Sequence, residues 1–144
     1  MEFKKILCAV DFAESNNKIV DCAKSLARAF NSKIFVIYVA PTFSQFIGLQ
    51  IPSKSIDSFI EEVVSTAKQN MENFLNTNFY GIAVEGDVLR GDPAEIILSY
   101  SKEVEADIIV MGTHGRKGLN KLLFGSVAQK VIKQATIPVL TVKP

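Results

Sequence analysis

The sequence predicts an α/β protein built on an open parallel sheet with helices on both faces. Three observations carry that prediction. Five short apolar runs, rich in β-branched residues, are spaced along the 144 residues. Between successive runs lie stretches whose apolar residues recur at helical spacing. The two patterns alternate without a break, in the order βαβαβαβαβ, and that alternation is the mark of parallel strands joined by right-handed helical crossovers.

In residues 4–11, ILCAVD follows two lysines, a continuous apolar run of the kind buried on both faces of a sheet, and it ends at Asp11. Ile19, Cys22, Ala23, Leu26, Ala27 and Phe30 make the stripe of a first helix, with Ser15 or Asn16 placed to cap it. Asn31-Ser32 interrupts that helix, and KIFVIYVA at 33–40 is the second strand, closed by Pro41. A longer helix carries Ile56, Ile60, Val63, Val64, Ala67, Met71, Phe74 and Leu75 on one stripe. Before it, PTFSQFIGLQIP at 41–52 is too apolar for an ordinary solvated loop and is expected to pack on something.

The third strand, IAVEGDVLRG at 82–91, alternates in polarity and contains Gly86, which points to an edge strand or a bulge. Asp92, Pro93 and Glu95 then open a helix as N-cap, first-turn proline and the closing residue of a capping box, with Ile96, Ile97, Tyr100 and Val104 as its buried face. Residues 107–112 (DIIVMG) form the fourth strand. Val127, Ala128, Val131, Ile132 and Ala135 make the last helical stripe, and IPVLTV at 137–142 is the fifth strand.

Length fits one domain spanning residues 1–144, with 48% hydrophobic and 22% charged residues, the balance of a globular chain. No apolar run is long enough for a membrane span, and MEFKKILCAV lacks the pattern of a cleaved leader, so a cytoplasmic protein is expected. Cys8 and Cys22 read as buried thiols. A net charge of +1 gives no case for nucleic acid as a partner. Its distribution is uneven: from residue 108 onward there are six basic residues and no Asp or Glu.

In an open parallel sheet, ligands sit beyond the carboxyl ends of the strands where the strand order reverses. Two strand ends carry unusual residues there, Asp11 after the first strand and GTHG after the fourth. Gly112 and Gly115 let backbone N–H groups approach a ligand closely. Gly125 and Ser126 stand where the last helix begins, a natural anion site, and Arg116, Lys117 and Lys121 add charge. Each feature alone is also what a tight turn, an ordinary cap or a solvated face would give, and spacing alone leaves phosphate binding open. His114 is the only histidine, either a polar loop residue or a nucleotide contact, and it has no partners for a transition-metal site. Asp11 is suited to a ribose hydroxyl, a divalent cation or the cap of the first helix. GxxxxGK[ST] and GxGxxG are both absent, which removes support for a P-loop NTPase or a dinucleotide dehydrogenase.

Gly112-x2-Gly115-x9-Gly125-Ser126, preceded by DIIVMGTHG and followed by SVAQKVIKQATIPVLTV, resembles the universal stress protein family in its ATP-binding branch. The similarity runs from KKILCAVDF to the terminal PVLTV. It implies a three-layer fold like that of the adenine nucleotide α-hydrolases, strand order 3-2-1-4-5, and ATP, with Mg²⁺ or Mn²⁺, across the ends of strands one and four. Ala9, Val10 and Asp11 would line the adenosine side, Asp11 near the ribose, and the Val39 backbone would meet the adenine. Gly112, Thr113, His114, Gly115, Arg116, Lys117 and Gly118 would wrap the phosphates together with Gly125, Ser126 and Val127, while Leu122, Leu123 and Phe124 pin the intervening tether to the core. Family members often pair as dimers through the last strand, here 137–142. Alanine at position 9 departs from the proline or other small residue common there.

Three functions follow for weighing: a regulatory nucleotide-binding dimer, an enzyme that hydrolyses ATP or transfers its phosphate, and an interaction module with an empty site. No carboxylate follows position 107, so only Asp11 or another N-terminal carboxylate could orient a water, and hydrolysis is expected to be slow or absent. The intact glycine pattern speaks against the empty module.

Overall fold

The computed structural model describes residues 1–12, 16–40, 42, 50, 52–114 and 124–143. Its elements follow the expected alternation: β1 (Lys5–Ala9), α1 (Asn16–Phe30), β2 (Lys33–Ala40), α2 (Ser53–Asn78), β3 (Val84–Arg90), α3 (Pro93–Glu103), β4 (Ile108–Gly112), α4 (Ser126–Gln134) and β5 (Val139–Val142). The strands form one sheet in the order β3-β2-β1-β4-β5, and every pairing is parallel. Strand order 3-2-1-4-5 is therefore the observed topology.

The apolar runs of β1, β2 and β4 are continuous because both faces of the central sheet are covered. Period-two alternation sends Ile6, Cys8, Ile34, Val36 and Val110 to one face, against α1 and α2. Leu7, Phe35, Ile37, Ile109 and Met111 go to the other, against α3 and α4. Ile6, Leu7, Ile34, Ile37, Ile109 and Val110 have no exposed surface. Each such side chain contributes about 1.5–3 kcal/mol of burial, so these three strands anchor the fold.

β3 is an edge strand, and its half-buried residues alternate with exposed ones. Its register with β2 runs unbroken through Gly86, so there is no bulge. The glycine answers to α2 instead: a Cβ there would stand 2.7 Å from Met71 Sδ and 2.8 Å from Leu75 Cδ1. On the other side of β3, the Tyr100 hydroxyl donates to Asp87 and ties α3 to the strand.

Local expectations at the helix ends meet three outcomes. Asp92 caps α3, its Oδ1 accepting from Glu95 N–H at 3.0 Å with Pro93 in the first turn. The Glu95 carboxylate turns to Lys130 of α4, which lies 3.0 Å from it and 3.2 Å from Asp92, so the box becomes a link between helices. Asn16 is the first residue of α1 and is buried, while Ser15 lies outside the described residues. In the last stripe Ile132 is 43% exposed, because α4 buries only Ala128 and Val131 fully. Most of the apolar segment 41–52 also lies outside the described residues. Cys8 is buried and Cys22 half-buried, both free thiols, and burial raises the Cys8 pKa to about 12.

The Asp92 cap gives a pH-dependent prediction. The Glu95 N–H, and then Lys130, hold the Asp92 carboxyl below its ordinary pKa. A carboxyl lowered on folding stabilises the fold fully above its unfolded pKa of about 4, and that contribution is lost as pH falls through the folded value. Asp92→Ala is expected to cost about 1 kcal/mol at pH 7 by urea denaturation. The difference from the parent should shrink when the same titration is run in acid below pH 4.

Candidate functional site

β1 and β4 are neighbours in the sheet but their crossovers leave on opposite faces, α1 on one and α4 on the other. The carboxyl ends of the two strands therefore flank the point where the winding reverses. β1 closes at Ala9, and Val10 stays attached to the sheet by donating its N–H to Ile37 O at 2.9 Å. Asp11 follows, half-buried. Val39 lies two residues past Ile37, the last β2 partner of β1, and packs with Ala9 on the α3 and α4 side.

On β4, Gly112 is the last strand residue and Thr113 follows, only 6% exposed. Thr113 N–H donates to Val142 O at 3.0 Å, and Thr113 O accepts from Gly125 N–H at 2.7 Å. That second bond brings the far end of the glycine loop back against its beginning, whatever path residues 115–123 take. Thr113 Oγ1 and His114 Nδ1 share a hydrogen bond of 2.9 Å, which fixes the half-buried imidazole beside the same junction. Phe124 packs against the α3 and α4 core as expected of the tether; Leu122 and Leu123 lie outside the described residues.

The last helix begins at Ser126, with Gly125 as its N-cap, so the Ser126 hydroxyl is not the cap. Among the described residues no side chain caps this end, and its first turn has no acidic residue. Gln129 N–H reaches Gly125 O at 3.0 Å and closes the first turn. Helix geometry then leaves the N–H groups of Ser126, Val127 and Ala128 without intrahelical partners, beside the positive end of the helix dipole. Such an end can accept an anion: it offers free N–H donors, no acidic residue in its own first turn, and a glycine as its cap.

The two described loop glycines have different reasons. At Gly112 a Cβ would lie 3.1 Å from Ile19 Cδ1 and 3.2 Å from His114 O, so the packing of α1 and the turn themselves demand a small residue. At Gly125 the backbone has an ordinary φ of −69°, and a Cβ would sit 3.4 Å from Thr113 O, normal contact. A Cβ at 125 would make only ordinary contact with the described residues, so close packing does not explain this glycine.

Ten of the residues expected at the site, Ala9, Val10, Asp11, Val39, Gly112, Thr113, His114, Gly125, Ser126 and Val127, thus gather at the carboxyl edge of the sheet. Gly115, Arg116, Lys117 and Gly118 lie outside the described residues. Among the described residues, no group of three or more metal-ligating side chains converges.

Two features at this edge escape sequence reasoning. Phe12, directly after Asp11, has a positive φ of 59°, strained for a bulky residue and held by its ring packing 4.9 Å from Tyr38 and 5.6 Å from Phe74. Beside it a hollow of about 260 Å³ opens between Phe12, Tyr38, Phe59 and Ala67 on the α2 side, and it contains none of the expected site residues. The second is Asn16, whose buried side-chain nitrogen has no partner among the described residues. The adjacent pair Asn16-Asn17 at a helix start was its only trace in the sequence.

A model of the universal stress protein family matches residues 2–143. The chain is 34% identical over 143 residues to universal stress protein MJ0531 of Methanocaldococcus jannaschii, covering 98% of this chain and 82% of that one. Among solved structures, MJ0577 of the same organism superposes with a TM-score of 0.80 at 27% identity, over 100% of this chain and 98% of that one. A universal stress protein from Archaeoglobus fulgidus in complex with dAMP superposes with a TM-score of 0.61 at 25% identity, over 98% of each. With a family match along almost its whole length, on a sheet of the order expected, this chain belongs to the universal stress protein family.

Proposed function

We propose that this chain is a one-domain, cytoplasmic, ATP-binding regulatory protein that acts as a homodimer, with hydrolysis slow or absent. The observation that carries the reading is the start of α4, without a side-chain cap among the described residues, bound to the end of β4 through Gly125 N–H and Thr113 O and rimmed by a glycine that close packing does not explain. A phosphate fits it: the oxygens accept the free N–H groups, and the helix dipole favours their charge by about 0.3–1 kcal/mol, up to ~2 where partly buried. The dAMP complex of the Archaeoglobus fulgidus relative supports an adenine nucleotide as the ligand class.

In this reading the Val39 backbone meets the adenine, Ala9 and Val10 form the adenosine wall, and Asp11 takes a ribose hydroxyl. Gly112 to His114, with Gly115 to Gly118, hold the phosphates against Gly125, Ser126 and Val127. Mg²⁺ or Mn²⁺ would neutralise phosphate charge, and the oxygen donors available, phosphate and the Asp11 carboxylate, suit such hard cations. With Asp11 engaged by the ribose or a cation rather than by a water, this reading is a binder rather than a fast hydrolase.

The dimer reading rests on β5. Among the described residues it pairs only with β4, all four of its residues are half-buried, and Ile132 of α4 is exposed. An open apolar edge strand is a pairing surface for a second copy.

ATP at about 100 times its dissociation constant should stabilise the protein by about 2.7 kcal/mol, a melting rise of roughly 5–10 °C. NAD should give less, and no shift with ATP or AMP would end the nucleotide reading. Gly125→Val should cost about 1 kcal/mol as a poorer helix cap and lose the ATP shift, whereas Gly112→Val should cost about 1–3 kcal/mol of stability without ligand. Sedimentation equilibrium should return twice the chain mass, and a monomer at micromolar concentration would remove the dimer.

A further inference from the structure

Asn16 is 2% exposed, and its side-chain nitrogen is a buried donor with no acceptor among the described residues. Buried polar groups are almost always paired, so an orphan of this kind calls for a cause. Its orientation is set by one long contact. Asp11 N–H points to the Asn16 carboxamide oxygen at 3.5 Å, and turning the amide over would set one donor against another. The NH₂ group is therefore held at the end of β1, beside the residue that follows the strand.

The surroundings narrow what would satisfy it. Asn16 opens α1, a 15-residue helix with no acidic residue in its first turn. One turn on, Ile19 braces against Gly112, its Cδ1 3.1 Å from where a Cβ would stand, so the start of α1 abuts the end of β4. Across the sheet the start of α4 is tied to Thr113. Two positive helix ends, one from each face, flank residues 112–114. The missing partner must be an acceptor, and the two helix ends favour a negative one against the opposing charge of the neighbouring Asp11.

Building on the nucleotide reading above, we propose that Asn16 is a further ligand-binding residue, its side-chain NH₂ donating to a phosphate oxygen of a nucleotide lying across the ends of β1 and β4. The donor has less than 1 Å² of accessible surface in this structure, so a phosphate oxygen reaches it only as seating of the nucleotide opens the turn around it. Asn16 thereby separates phosphorylated from unphosphorylated adenosine.

The test is calorimetric titration of the full chain and its Asn16→Ala and Asn16→Asp variants with ATP, AMP and adenosine, alongside melting without ligand. Asn16→Ala removes the orphaned donor and only a long hydrogen bond, so it should melt within about 2 °C of the parent while its ATP and AMP affinities fall about three- to tenfold. Asn16→Asp puts a carboxylate where the phosphate oxygen would sit, and should lose more than about tenfold for ATP. Adenosine affinity should stay within about twofold in both. Unchanged ATP affinity in Asn16→Ala, or equal losses for adenosine and ATP, would mean that Asn16 only shapes the turn. A parent that binds ATP keeps the nucleotide reading whichever way the variants fall; a parent that binds no adenine nucleotide overturns both.

Discussion

The handedness of the crossovers is the constraint on which the rest of this structure depends. A parallel connection packs back on the sheet only as a right-handed turn, so the direction of travel across the sheet decides which face its helix covers. β1 to β2 to β3 travels one way and places α1 and α2 on one face. The step from β3 to β4 reverses that direction, passes over β2 and β1, and sends α3 and α4 to the other. Between β1 and β4 the covering helices diverge, and a crevice at their carboxyl ends is the geometric result.

The crevice is then shaped by backbone more than by side chains. Thr113 holds β5 through its N–H and the α4 cap through its carbonyl, so one buried residue joins the edge strand, the glycine loop and the helix start. This arrangement points the free donors of α4 along the sheet edge without needing a lysine or arginine in the described part of the site. Further structural ties lie elsewhere: Asp92, Glu95 and Lys130 link α3 to α4, and Tyr100 with Asp87 links α3 to β3. Gly112 and Thr113 serve packing as well as the carboxyl edge, so substitutions there must be judged by melting as well as by binding.

Much of the fold was legible because the buried strands write themselves as unbroken apolar runs. ILCAV, KIFVIYVA and IIVM have no other economical reading, and Asp92-Pro93 marks its helix start through local chemistry that needs no tertiary partner. The carboxyl edge was placed by the strand ends, whereas Ala9, Val10 and Val39 were named there only through the family resemblance. What stayed hidden depends on distant packing. Gly86 marks an edge strand or a bulge; β3 is the edge strand, and the reason for the glycine appears only when α2 is laid over it, while Ile132 fits a helical stripe that turns out wider than the surface α4 covers. Asn16 looks like an ordinary solvent-facing cap residue, yet it is buried where α1 starts beside the residues that follow β1. Phe12 gives no hint of a left-handed backbone, because the rings that hold it are 26 and 62 residues away in sequence.

The central claim is that the end of β1, the end of β4 and the start of α4 form one phosphate-bearing site. Amide chemical shifts in a ¹⁵N-labelled sample titrated with ATP report it residue by residue. The account predicts the largest changes at Asp11, Val39, Gly112, Thr113, Gly125, Ser126 and Val127, with the outer part of β3 and the middle of α2 unmoved. Changes centred instead on Phe12, Phe59 and Ala67, around the hollow beside α2, or no changes at all, would contradict it.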